Sequence, residues 1–112
     1  MSSRENQDLT KGGVKHDLGK TRLGLIAPEY LEALGQILTE GARKYSDHNW
    51  QTGMHWSRAY DALLRHLNAW NAGEDLDLES GKSHLWHAAA ELMFLTTFEM
   101  RKSGTDDRYK GK

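Results

Sequence analysis

Three stretches of this chain place apolar side chains three or four residues apart, and no stretch alternates polar and apolar residues as a half-buried strand would. The first begins at Pro28, whose fixed φ suits a first helical turn, and carries Leu31, Leu34, Leu38, Ala42 and Tyr45. The second runs from about Trp56 to Ala72, stops at Gly73, and aligns Trp56, Tyr60, Leu63, Leu67 and Trp70. The third runs from about Gly81 to Lys102, closes at Gly104, and aligns Leu85, Ala88, Leu92, Leu95 and Glu99. The expected fold is all-α, a small bundle of three main helices with almost no sheet.

A length of 112 residues leaves room for one domain, expected over residues 14–103, between loosely ordered polar tails at 1–13 and 104–112. An N-terminal arm, residues 14–27, is expected to fold over the bundle. Four Trp and apolar stripes on more than one face exceed what three helices bury, so a homodimer or tetramer is expected. A formal net charge of −1 gives no global field for a nucleic acid polymer or an anionic membrane. The most apolar stretch, Leu92 to Phe98, is far short of a membrane span, and the polar start MSSRENQDLTKGG is unlike a signal peptide, so a cytoplasmic protein is expected. With no Cys, metal ligands are limited to His, Asp, Glu and water.

The chemistry concentrates on the second and third segments. His84, His87 and Glu91 follow the spacing i, i+3, i+7, and the same line runs on into Phe94 and Phe98. A face that is ionisable at its start and aromatic at its end suits a helix that enters a core while its first half borders a wet pocket. His66 lies on a line of alanines, Ala59, Ala62 and Ala69, and taken alone reads first as a core histidine. Before the third helix, Glu74, Asp75, Asp77 and Glu79 put four carboxylates into six residues. For Glu74 and Asp75 ordinary helix capping is the stronger reading. Asp77, Glu79, His84 and His87 together suit a divalent cation, Mg²⁺ or Mn²⁺ if oxygen ligands dominate and a softer ion if imidazoles do.

Lys11, Lys15, Lys20 and Arg22 among glycines form a cationic arm able to wrap a phosphate, or simply a solvated basic tail. Lys44, Tyr45, His48, Asn49 and Trp50 offer a cation, an amide and aromatic faces for a nucleobase, although a packed aromatic turn at a helix end would look the same. Gly81-Lys82-Ser83 is not a phosphate-binding loop, because Leu76 stands where its first glycine belongs. His16-Asp17 lies on a Gly-rich arm outside any helix, unlike a His-Asp metal dyad.

Five motifs taken in order carry a family resemblance. They are Lys15-x-Asp17-x-Gly19-Lys20-x-Arg22, Leu25-Ile26-x-Pro28, Gly41-Ala42-x-Lys44-Tyr45 with Asn49-Trp50, Arg65-His66-Leu67 with Trp70, and Gly73-Glu74-x-x-Asp77-x-Glu79-Ser80-Gly81-x-x-His84-Leu85-x-His87-Ala88. Across roughly residues 13–99 the chain resembles the small, largely phage-encoded family named for dATP/dGTP diphosphohydrolase N-terminal domains. The resemblance implies an all-α enzyme, similar to MazG-like pyrophosphohydrolases, that splits a nucleoside triphosphate, expected to be a purine deoxynucleotide, into monophosphate and pyrophosphate with water as nucleophile. It implies Mg²⁺ or Mn²⁺ held by carboxylates on neighbouring helices. The paired ExxE-type carboxylates are missing here, and Arg65-His66 and His84 to His87 stand in their places.

On that resemblance Asp77, Glu79, His84 and His87 bind metal or activate water, His66 faces them, and Glu91 completes the metal set or orients an imidazole. Lys15, Lys20, Arg22 and Arg65 take the phosphates, Tyr45, Asn49 and Trp50 take the base, and Asp17 and Lys44 complete the substrate-binding set. A non-catalytic nucleotide-binding protein, such as a phage sponge for a nucleotide signal of host defence, would use the same pocket without metal. A helical adaptor for another protein would explain Trp50, Trp56, Trp70 and Trp86 but not the histidines or the arm lysines.

Overall fold

A computed structural model describes residues 19–110 of the chain. Three helices carry the fold: α1 (Pro28–Lys44), α2 (Trp56–Asn71) and α3 (His84–Arg101), with short 3₁₀ turns at Leu23–Leu25 and Asn49–Thr52. Among the described residues the only β features are two isolated bridges, His55 with Thr105 and Leu76 with Ser83. The expected all-α bundle is what the chain forms. Lys15 and Asp17 lie outside the described residues, as do the whole tail expected at 1–13 and the first part of the arm expected at 14–27.

Local chemistry sets the helix ends. Pro28 opens α1, with Glu29 in its first turn and Arg43 and Lys44 in its last, each charge matched to the helix dipole. Gly73, at φ +101°, ends α2. Its N–H donates to the Trp70 carbonyl, and the Glu74 N–H reaches back to the Ala69 carbonyl, both at 3.0 Å. This paired closure satisfies two orphan carbonyls and turns the chain sharply. Ser83 caps α3 by accepting the Leu85 N–H at 3.1 Å. The third helix thus starts at His84 rather than near Gly81, because residues 81–83 are spent on the turn and the cap.

Helices α2 and α3 form the main pair, and α1 lies against α3. The buried residues are Ala33 and Ile37 on α1, Ala59 on α2, and His84, Ala88, Ala90 and Phe98 on α3, and the alanines among them let the helices approach closely. All three expected stripes are corrected here. On α2, Tyr60, Leu67 and Trp70 are exposed, and the inward line is led by the buried Ala59. On α3, Leu85, Leu92 and Glu99 are exposed, while His84, Ala88 and Phe98 are buried. On α1 the stripe shifts, with Ala33 and Ile37 buried and Leu31 and Tyr45 exposed. Small side chains let helix axes approach, so they take the interface and the bulkier neighbouring lines turn outward.

Residues 104–107, the start of the tail expected to be loose, are instead anchored, together with Ser103 before them. Thr105 donates its N–H to Met54 and accepts that of Trp56, the Trp56 indole N–H donates to the Ser103 carbonyl at 2.9 Å, and Asp107 accepts the Ser57 backbone N–H at 3.0 Å and its hydroxyl at 2.6 Å. His55 makes no side-chain cap on α2, so Asp107 supplies the cap from fifty residues away. Gly104 makes the approach feasible, because at φ +75° a Cβ would lie 2.5 Å from the Met54 carbonyl oxygen.

Gly104→Ala is expected to lower stability by at least the ~1–3 kcal/mol of a side chain in that backbone region, read as a lower Tm. Gly24→Ala, where a Cβ meets nothing within 4 Å, is the comparison, and equal melts for the two would refute this account of Gly104.

Candidate functional site

The loop between α2 and α3 is built on Asp77. Its N–H donates to the Lys82 carbonyl at 2.8 Å, its carbonyl accepts the Gly81 N–H at 2.7 Å, and its Oδ2 accepts the Ser80 N–H at 2.9 Å. The Ser80 hydroxyl accepts the Lys82 N–H at 3.1 Å and sits 2.7 Å from His87 Nε2. The loop thereby holds a carboxylate and a hydroxyl against the first turns of α3.

Three imidazoles meet there. His66 from α2 stacks on His87 from α3, with centroids 4.7 Å apart and planes 10° apart. His66 Nδ1 lies 2.9 Å from His84 Nδ1, and His84 Nε2 donates to Glu74 Oε1, also at 2.9 Å. The side chain of His84 is 6% exposed. Burial, reinforced by neighbouring imidazoles, lowers the pKa of His66 and, against nearby carboxylates, that of His87, so both stay neutral below the usual histidine range. Burial pushes the Asp77 carboxyl upward, but its hydrogen bonds from Ser80 and the nearby imidazoles bring the net shift down.

Beside this cluster a cleft of about 780 Å³ opens between the end of α1, the Asn49–Thr52 turn and the first half of α3. Its walls include Lys44, Tyr45, Asn49 and Trp50 on one side and Asp77, Glu79, Ser80, His87 and Glu91 on the other. Lys44 meets Glu79 at 3.5 Å, and Lys82 meets Glu40 at 3.5 Å. The Lys44–Glu79 pair is well exposed and contributes little stability, so an anionic ligand displaces it at small cost. Glu91 is half-buried, and burial pushes its carboxyl up to about 7 against the opposing pull of Arg65.

The sequence profile of the family described as dATP/dGTP diphosphohydrolase, N-terminal, matches residues 10–108. The chain belongs to this family. It is also 38% identical over 96 residues to a protein of Salmonella phage PMBT28 named dATP/dGTP diphosphohydrolase. The aligned part is 86% of this chain and 33% of the phage protein, so the chain spans about a third of that relative's length. No solved structure matches the chain. Among the described residues, no helix is long and apolar enough to cross a membrane.

Within this diphosphohydrolase-family fold, the expected site residues fall into three groups. Lys44, Tyr45, Asn49, Trp50, Asp77, Glu79, His87 and Glu91 all line the cleft. His66 and His84 join Asp77 in a tight group just behind its wall. Lys20, Arg22 and Arg65 are exposed and do not line it. Trp50, expected as a platform for a base, is packed: its ring stacks on Phe94 at 5.0 Å, and the Arg101 guanidinium lies 5.8 Å from it. The exposed ring of Tyr45 is the open one. Glu74, expected as a helix cap, instead holds His84. Ser80, the partner of His87, carries no sequence signal of its own. The glycine-terminated turn after α2, which throws the next residue back across the helix end, is the signal for Glu74.

Glu91 gives this site a pH signature. Its folded pKa, about 7, lies above the ordinary 4.5, so the folded state binds more protons than the unfolded one in that window and loses stability as pH rises through it. Glu91→Gln is expected to be more stable than the parent at pH 8 and no more stable at pH 5, by urea unfolding. A parent-minus-variant difference that does not change between the two pH values would refute the burial account.

Proposed function

We propose that the chain is a metal-dependent nucleoside triphosphate diphosphohydrolase that converts a purine deoxynucleoside triphosphate into monophosphate and pyrophosphate. The observation that carries this reading is the cleft, which combines a cation and an open aromatic ring on one wall with a carboxylate, an imidazole and a carboxyl of raised pKa on the other. Its volume, about 780 Å³, lies within the ~300–1,000 Å³ of small-molecule sites. The name of the phage relative, dATP/dGTP diphosphohydrolase, supports the substrate class.

In this reading Lys44 leaves Glu79 for the triphosphate, and Tyr45 and Asn49 take the base. Water attacks the α-phosphorus, the bond from that phosphorus to the α–β bridging oxygen breaks, and pyrophosphate leaves. Glu91, on the cleft wall with a carboxyl poised near neutrality, accepts the proton of the attacking water. His87, neutral and set on Ser80, lines the same wall one helical turn away. A divalent cation, Mg²⁺ or Mn²⁺, would supply neutralisation of the triphosphate when bound, and Glu79, released at the cleft wall when Lys44 leaves it, is the carboxylate that would hold it. The exposed Tyr60, Leu67, Trp70, Leu85 and Leu92 support self-association as a homodimer or tetramer.

Incubation with dATP, dGTP and other nucleoside triphosphates, with Mg²⁺, Mn²⁺ or chelator, tests the reading by chromatography of the products. Deoxynucleoside monophosphate and pyrophosphate are expected only with metal, with kcat reduced ~10²–10⁴-fold in Glu91→Gln and KM raised in Lys44→Ala. Release of orthophosphate or of intact triphosphate overturns it. A thermal shift by a nucleotide that stays intact replaces it with a non-catalytic binding protein that sequesters its ligand.

A further inference from the structure

We propose that His66, Asp77 and His84 are the ligands of a resident divalent transition-metal ion, with Glu74 as the carboxylate that orients His84. One ligand atom from each of the three lies within 4.8 Å of the others, and among the described residues no other trio of His, Asp or Glu does so. The two Nδ1 atoms are 2.9 Å apart. Two nitrogens bound ~2.0–2.1 Å from one tetrahedral Zn²⁺ lie about 3.3 Å apart, so the pair has to open by only a few tenths of an ångström to share an ion.

The second argument is the tautomer of His84. Its Nε2 faces Glu74 Oε1 at 2.9 Å, and a carboxylate only accepts, so that nitrogen carries the hydrogen. The Nδ1 lone pair then points at His66 from a buried ring. A carboxylate behind a ligating histidine, fixing its tautomer and ring plane, is the usual support of an imidazole that holds a metal. Asp77 is equally fixed: Ser80 occupies its Oδ2, and the loop backbone binds it on both sides, leaving a second carboxylate oxygen to offer.

The donor set names the class of ion. Two imidazole nitrogens and one carboxylate suit borderline first-row ions such as Zn²⁺, Co²⁺ or Mn²⁺, whereas Mg²⁺ takes oxygen ligands. Three protein ligands also leave a position for water or a phosphate oxygen. Because Asp77 lines the cleft as well, the ion stands at the cleft wall. Metal binding here does not require the chain to be a hydrolase.

The test is titration of chelator-treated full-length protein with Zn²⁺, Co²⁺, Mn²⁺ and Mg²⁺, without nucleotide, by calorimetry, by Tm and by the visible absorption of bound Co²⁺. One ion per chain is expected, with Co²⁺ absorption showing nitrogen ligation and with Mg²⁺ at least 100-fold weaker than Zn²⁺. His66→Gln and Asp77→Asn are expected to abolish the Co²⁺ band, and Glu74→Gln to weaken affinity ~10–100-fold with stoichiometry kept. Glu79→Ala, on a side chain 83% exposed and paired with Lys44, keeps full affinity. Affinity no greater for Zn²⁺ than for Mg²⁺, or binding that survives both His66→Gln and Asp77→Asn, overturns the proposal. Each outcome stands whether or not nucleotide is hydrolysed.

Discussion

The close contact between α2 and α3 is what the rest of the structure depends on. Ala59 on α2 and Ala88 on α3, both nearly inaccessible, leave room for the two helix axes to approach, and a larger side chain at either would overpack the core. That proximity lets His66 reach His84 and stack on His87 although eighteen or more positions separate them in sequence. The meeting of the three imidazoles is therefore an outcome of helix packing: His66, His84 and His87 all sit on helices, and the small side chains between those helices set how closely the rings approach.

The α2–α3 connection completes what the packing starts. Gly73 allows the abrupt end of α2, and the turn that follows supplies Glu74, Asp77, Ser80 and Ser83 in quick succession. Glu74 meets a buried imidazole, Asp77 ties the loop, Ser80 meets His87, and Ser83 caps α3. The loop carries polar groups into a half-buried place, and hydrogen bonds within the loop or to α3 answer the cost of doing so.

Helix number, the start of α1 and the end of α2 were legible in the sequence because Pro28 and Gly73 act locally, whereas α3 ends at Arg101, with Lys102 rather than Gly104 taking the left-handed cap. The inward stripes were not, since a helix rich in both alanines and large apolar residues presents two neighbouring lines, and the partner's shape decides between them. Hydrophobicity favoured Tyr60 and Trp70; packing chose Ala59. The line from His84 through Glu91 to Phe98 was readable because its polar start and aromatic end already describe a helix passing from a wet rim into a core. Glu74 was not, because acidic residues near helix ends are so often caps. Trp50 shows the opposite limit: the sequence left a base platform and a packed aromatic turn both open, and only the fold shows Phe94, forty-four positions later, stacked on its ring.

The strap at residues 103–107 ties the end of the fold to the segment that enters α2, through Thr105 with Met54 and Trp56 and through Asp107 with Ser57. Met54 and Trp50 also stand in the cleft wall, and Arg101, at the end of α3, donates to Gln51 in the same turn at 2.9 Å. The cleft wall and the strap are consequently one cooperative unit. Their amide hydrogens are therefore expected to exchange with solvent together, and a peptide that competes for the strap's place would reshape the cleft without touching any residue in it.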